Sequence, residues 1–258
     1  MKPHSLPFDA DVYVLSYPKA GRTWLRALVG KTLVDRYHYS ERRMLDVQAL
    51  TRLAGVPEIG FDHDGSAQRL QVRWQDMATD RDVYAGKRVL LLGRDVRDNL
   101  VSAYLQATRR VGAWNEPISA FVRDERYGVD KVLNFYRIWS ASRHIPAAFM
   151  YVRYEDMHAD TAGTLARVLP FLGIGVEAAA IDAAVEYCRF DNLRRAEVER
   201  RFRGSALVPK NPDDPESYKV RKGKVGNYAE YLSPANVAFI DTAVAERGCE
   251  FTRASLEH

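Results

Sequence analysis

The chain has 258 residues, 47% hydrophobic and 28% charged, with a net charge of +4, which describes a globular protein with enough apolar mass for a sizeable core. That charge is far too small for a histone-like nucleic-acid binder, though it allows a local basic pocket for an anion. No run approaches the roughly 18 apolar residues of a membrane span, MKPHSLPFDADVYVL lacks the apolar stretch of a secretory signal, and Cys188 and Cys249 form neither a disulfide framework nor a metal-ligand spacing, so a cytoplasmic, metal-free protein is expected.

The first apolar run, Val12–Ser16, is followed by a loop and by a helix from about Thr23 to Tyr37, whose Leu25, Leu28, Val29 and Leu33 share one face. A weaker strand, Glu58–Asp62, is expected to join the sheet between the first and second runs. The second run, Arg88–Gly93, precedes a helix over Val96–Arg110. Val129–Arg143 carries Val129, Val132, Leu133, Tyr136 and Trp139 at helical spacing, the pattern of a core-facing helix. The third run, Phe149–Arg153, leads into a helix over Thr161–Leu172. Past Ile181 the pattern is helical, then breaks at Gly204–Lys219, where Pro209, Pro212 and Pro215 predict a mobile surface loop. Continuous apolar strands alternating with helices require a parallel sheet covered on both faces. The fold class is therefore α/β: one domain over residues 1–255, with a central parallel sheet flanked by helices. Leu256, Glu257 and His258 read as the remnant of a cloned tag.

Tyr17-Pro18-Lys19-Ala20-Gly21-Arg22-Thr23-Trp24 lies between the first strand and its helix. Backbone N–H groups and the positive end of a helix make an anion site there. Gly21 lets the backbone approach a phosphate, Thr23 offers a hydroxyl, and Lys19 and Arg22 add charge. The pattern GxxxxGK[ST] of ATP and GTP loops is absent, because the lysine precedes the glycine. On these residues alone the segment is either an anion-binding loop or a basic turn.

The loop resembles the 5′-phosphosulfate loop of the PAPS-dependent sulfotransferases, usually written YPKSGTTW. Three further stretches fit that family in order. Arg94-Asp95-Val96-Arg97-Asp98-Asn99-Leu100-Val101-Ser102 resembles its 3′-phosphate motif, with arginine and serine eight residues apart. Tyr154-Glu155-Asp156 resembles its YED, and Arg221-Lys222-Gly223-Lys224-Val225-Gly226 its RKG segment. The resemblance spans Tyr17 to Gly226 and implies a P-loop-like nucleotide-binding fold with PAPS as donor substrate and no metal.

What the resemblance implies for each residue follows from the donor's two anionic ends. Lys19, Gly21, Arg22, Thr23 and Trp24 belong to the 5′ end, with Lys19 neutralising charge on the bridging oxygen as the sulfuryl group departs. Arg94 and Ser102 bind the 3′-phosphate, and Arg221, Lys222 and the Gly223 amide close over it; the planar arginine fork suits phosphate oxygens. Trp24 is read as a wall against adenine or as a core anchor, and Tyr154 as an adenine contact or as packing at the sheet's end. Phe190 matches another position near adenine, although Cys188 stands where a small hydroxyl residue is common. Arg97, Arg109 and Arg110 are expected on a solvated helix face.

The acceptor hydroxyl needs a general base with a pKa near neutral, which points to histidine. His4 lies in a tail and His258 in the tag, while His38, His144 and His158 have no motif around them. His63 falls where the family carries KTH, and Phe61 replaces that lysine. His63 is thus expected to be the general base, with Asp64 the nearest carboxylate alternative. A nucleotide kinase and a non-catalytic nucleotide-binding module are the rival readings. The first lacks its GK[ST] loop, and the second has no need of Lys19 or His63. Leu45–Phe61, Gly65–Val83 and Gly204–Lys219 are expected to line the acceptor pocket. Nothing in them identifies the acceptor, be it a small molecule, a glycan or a lipid alcohol, and no nucleic-acid partner is expected.

Overall fold

The computed structural model describes Leu6, residues 8–204 and residues 207–256. His4, Glu257 and His258, assigned above to tail and tag, lie outside the described residues. Four strands form one parallel sheet: β1 (Val12–Ser16), β2 (Ile59–Asp62), β3 (Arg88–Gly93) and β4 (Ala148–Arg153), in the order β2-β1-β3-β4. The weak strand β2 therefore lies outside β1 at the sheet edge and not between the first two runs, which pair directly with Val14 opposite Leu90. The burial explains the order. β1 is buried along its whole length, as a central strand must be, whereas β2 ends in half-exposed Phe61 and Asp62.

The helices are α1 (Arg22–Tyr37), α2 (Val47–Ala54), α3 (Val96–Leu105), α4 (Ile118–Phe121), α5 (Val129–Ser142), α6 (Tyr154–Ala159), α7 (Thr161–Phe171), α8 (Ala178–Tyr187), α9 (Phe190–Val198) and α10 (Pro234–Arg247). Alternate strand residues point to opposite faces of the sheet. Val12, Val14, Leu90 and Leu92 pack with Leu25 and Leu28 of α1, Leu50 of α2 and Leu165 and Leu169 of α7. Tyr13, Leu15, Val89 and Leu91 pack with Leu100 of α3, Val132 and Trp139 of α5 and Ile240 of α10. The helix after β3 keeps α geometry only to Leu105; Gln106–Val111 then widens into a π turn.

Two expectations are corrected by packing. Arg97 is buried, not solvated: it pairs with Asp95 at 2.9 Å and Asp241 at 3.6 Å, donates to the Ser255 carbonyl, and lies 4.3 Å from the Tyr228 ring centroid. Arg109 is exposed as expected, but Arg110 turns inward to Glu197 at 3.6 Å. The Gly204–Lys219 segment is correspondingly tied down, with Leu207, Pro209, Ser217 and Tyr218 buried. Arg110 donates to the carbonyls of Ser217 and, at 3.1 Å, Val208. The buried Glu197 carboxylate accepts from the amides of Lys219 at 2.7 Å and Val220 at 2.8 Å.

Candidate active site

In a parallel sheet with helices on both faces, the crevice forms beyond the carboxyl ends of the strands. Each strand here delivers one part of the site. β1 runs into the Lys19–Gly21 loop, β2 into His63, β3 into Arg94 and β4 into Tyr154. These parts surround one cavity of about 690 Å³. Its lining includes every expected residue: Lys19, Gly21, Arg22, Thr23, Trp24, His63, Arg94, Ser102, Tyr154, Phe190, Arg221, Lys222 and Gly223.

The loop after β1 is held in an unusual backbone shape. Lys19 has φ +76° and Gly21 φ +91°, and a left-handed non-glycine residue costs of order 1–3 kcal/mol that surrounding structure must offset. The Lys19 carbonyl accepts from Arg94 Nη1 at 3.1 Å and the Pro18 carbonyl from Asn99 Nδ2 at 3.2 Å. A Cβ at residue 21 would lie 2.6 Å from Tyr154 Cδ2, so the loop needs glycine for space as well as for φ. Arg22 and Thr23, which open α1 and line the cavity, have amides with no helical acceptor, whereas those of Trp24 and Leu25 donate to the Gly21 carbonyl at 2.9 and 3.2 Å.

The loop's charges are poorly compensated. Burial, then the charges of Lys219, Arg110, Arg94 and Arg221, hold Lys19 well below the ordinary lysine value. Among the described residues its amine reaches only Gln106 Oε1, at 3.5 Å. Arg22 Nη1 is buried with no hydrogen-bond partner among the described residues, and burial pushes that guanidinium down to about 9. A doubly anionic group fits these residues, because it would supply the missing acceptors.

On the 3′ side, Arg94 sits 3.7 Å from Asp98, with its guanidinium carbon 4.4 Å from the Tyr154 ring centroid and its buried Nε without a partner among the described residues. Ser102 lies inward on α3. Asp98 accepts from the amides of Gly226 and Tyr228 at 2.8 and 2.9 Å, which folds the RKG segment back onto the motif after β3. Arg221 donates to Tyr231 Oη at 2.8 Å and reaches Glu216 at 3.3 Å; Lys222 pairs with Glu230. Gly223, at φ +59°, leaves no room for a Cβ, which would lie 2.5 Å from Phe190. Trp24 and Tyr154 meet edge to face at 5.8 Å, so Trp24 lines the cavity and Tyr154 both lines it and packs under the loop.

His63 Nδ1 lies 2.9 Å from the Ser16 carbonyl. A carbonyl only accepts, so Nδ1 carries the proton and Nε2 keeps its lone pair. Burial, with the nearby charge of Arg22, holds the imidazole well below its ordinary value, so it is neutral near pH 7. Asp64 is not an alternative base. Its carboxylate is buried, accepts from Tyr84 Oη and Trp139 Nε1 at 2.8 Å each, and pairs with Arg81 at 2.8 Å.

The structure adds residues that the motifs did not reveal. His158 lines the cavity, donates from Nε2 to the Gly223 carbonyl at 2.6 Å and lies edge-on to Trp24. Lys219 and Gln106 also line it. Of the stretches expected around the acceptor, residues 67–69 contribute, as do Leu207 and Lys219, but Leu45–Phe61 contributes no lining residue. That stretch is spent on packing: Val47 and Leu50 of α2 are buried, and Phe61 lies 4.6 Å beneath the Arg26 guanidinium.

The family model of the sulfotransferase domain matches residues 9–251. The chain belongs to that family. It is an enzyme, a sulfotransferase. It is 26% identical to cytosolic sulfotransferase 17 of Arabidopsis thaliana, over 92% of this chain and 74% of the relative. It is 23% identical to a flavonol 4′-sulfotransferase of Flaveria chlorifolia, over 92% and 78%. The fold is shared with a mouse sulfotransferase solved with PAP, at TM-score 0.64 and 18% identity over 96% of this chain and 88% of that one. A retinol dehydratase solved with androsterone and PAP gives TM-score 0.63 and 19% identity over 94% and 81%.

Proposed function

We propose that this sulfotransferase moves the sulfuryl group of PAPS onto a hydroxyl or amine of a small-molecule, glycan or lipid acceptor. Lys19 assists the leaving group and His63 acts as general base. The observation that carries the reading is the convergence of all four strand ends, with every site residue expected from the four motifs, on one cavity. Trp24, Tyr154 and Phe190 frame the adenine, Gly21, Arg22 and Thr23 the 5′-phosphosulfate, and Arg94, Ser102, Arg221, Lys222 and the Gly223 amide the 3′-phosphate. Base stacking on such rings is worth about 1–3 kcal/mol.

In the reaction the acceptor oxygen attacks sulfur in line, and its proton passes to His63 Nε2. The S–O bond to the phosphate breaks, and PAP departs with the bridging oxygen as Lys19 neutralises its charge. Positioning and charge stabilisation do most of the work in such loose displacements. The flavonol sulfotransferase among the relatives supports a small-molecule acceptor. Relatives named as cytosolic sulfotransferases support action in the cytoplasm, and no helix among the described residues is long and apolar enough to cross a membrane.

Thermal shift with PAP, ADP and GTP, in the presence of EDTA, tests the donor. PAP should raise the midpoint most, and an equal response to ADP would refute the 3′-phosphate site. A panel of phenols, sugars and lipid alcohols with labelled PAPS then identifies the acceptor.

A further inference from the structure

Once the donor's charges are assigned, three cations of the lining are left over: Arg69 and Arg189, which are exposed, and Lys219, which is half-buried. Arg94, Arg221 and Lys222 lie near Asp98, Glu216 and Glu230 on the 3′ side, and Lys19 and Arg22 belong to the loop after β1. Lys219 lines the same cavity, yet its amine has no hydrogen-bond or ion-pair partner among the described residues. β2 brings no cation to the base, because Phe61 and Asp62 precede His63.

The residue is placed with some effort. Its amide and the next are both bound by the two oxygens of buried Glu197, at 2.7 and 2.8 Å. Arg110 ties the preceding turn to the π segment of Gln106–Val111 through the Ser217 carbonyl. This clasp fixes the backbone of a lysine that serves no packing contact with its amine. Its charge is the largest acting on Lys19, and it is also felt at His63. The amine thus belongs to the same cavity lining as the leaving-group lysine and the base.

We propose that Lys219 is a catalytic residue of the transfer, donating hydrogen bonds to the non-bridging sulfuryl oxygens as the acceptor O–S bond forms and the S–O bond to PAP breaks. It gives up no proton; the acceptor's goes to His63, and the bridging oxygen stays with PAP. The assignment rests on PAPS being the donor. Preorganised donors aimed at developing charge are worth about 10²–10³-fold when removed singly.

The test is PAPS turnover by wild type, Lys219→Met and Lys219→Arg, with 2-naphthol and with water alone as acceptor, alongside calorimetric PAP affinity. Lys219→Met should lower kcat about 10²-fold, with PAP affinity within about three-fold, and Lys219→Arg should recover most of the rate. Unchanged kcat overturns the proposal. So does a raised KM for 2-naphthol at constant kcat, which would make Lys219 an acceptor contact. A parallel loss of PAP affinity would also overturn it, by making Lys219 a nucleotide ligand. A wild-type protein that binds no PAP overturns the donor reading itself, which the calorimetry separates from the other results.

Discussion

Replacing His63 with Gln isolates its role in the reaction. The Gln amide can still donate to the Ser16 carbonyl, the contact that His63 Nδ1 makes at 2.9 Å, but it offers no basic nitrogen. Loss of that hydrogen bond alone would cost about 1 kcal/mol, whereas a positioned general base is worth about 10²–10⁴-fold, or roughly 3–5 kcal/mol of barrier. Single-turnover transfer to 2-naphthol should fall by that factor while PAP affinity is nearly unchanged. Burial and Arg22 disfavour the imidazolium, so the acid limb of the wild-type rate must lie well below the ordinary histidine value, and the variant must lack it. The same depression has a stability consequence of definite sign. The unfolded histidine binds a proton below about pH 6.5 while the folded one resists, so its contribution is present above that pH and lost as pH falls. The melting-point advantage of wild type over His63→Gln should therefore shrink from pH 7 to pH 5. Turnover within a few-fold of wild type, or an acid limb shared by both proteins, would refute the base assignment.

Lys19→Ala should abolish transfer and weaken PAP only modestly; the left-handed backbone disfavours alanine as it does lysine, so near-normal turnover would remove the amine from the mechanism. Arg221→Ala and Arg94→Ala should each weaken PAP by about 1.5–3 kcal/mol relative to ADP in calorimetry, and equal losses for both nucleotides would refute the 3′-phosphate assignment. Burial and Arg110 bring Lys219 down to about 8, so wild-type kcat should fall as pH rises through that value, and Lys219→Met should lack that limb; a limb shared by both proteins would refute a role for the amine. Asp64→Ala should cost about 3–5 kcal/mol in urea unfolding, because it leaves Arg81 buried and unpaired; a marginal loss would show that the carboxylate is not structural.

The strands and the main helices were legible because burial on both faces writes itself as apolar runs, and each site motif sits where such a run ends. Edge placement of β2 was not legible, since four residues of strand carry no record of which neighbour they pair with. Arg97 and Arg110 were misread for a related reason: a helix face of arginines looks solvated until its acceptors are known. Those acceptors, Asp241, Ser255 and Glu197, lie between 87 and 158 residues further along the chain. α10 announces itself by Ser233, which caps Asn236, and by Pro234 in its first turn, but it follows a proline-rich break that hid it. His158 and Lys219 carry no motif at all.

Those residues also explain why four short motifs suffice to build one site. The loop after β1 is shaped by Arg94 from β3 and by Tyr154 from β4, the motif after β3 holds the RKG segment through Asp98, and His158 of α6 holds that segment again at Gly223. Each binding element is thus positioned by another binding element, and the cations left among them lack acceptors. On the proposed reading, a nucleotide with an anionic group at each end would supply those acceptors to all the elements at once. Binding only the folded state, it should stabilise the chain by about 2.7 kcal/mol at a hundred-fold excess over its dissociation constant. The cations proposed to hold the donor are therefore the ones whose acceptors it would supply, so binding should order the loop after β1 and the RKG segment together.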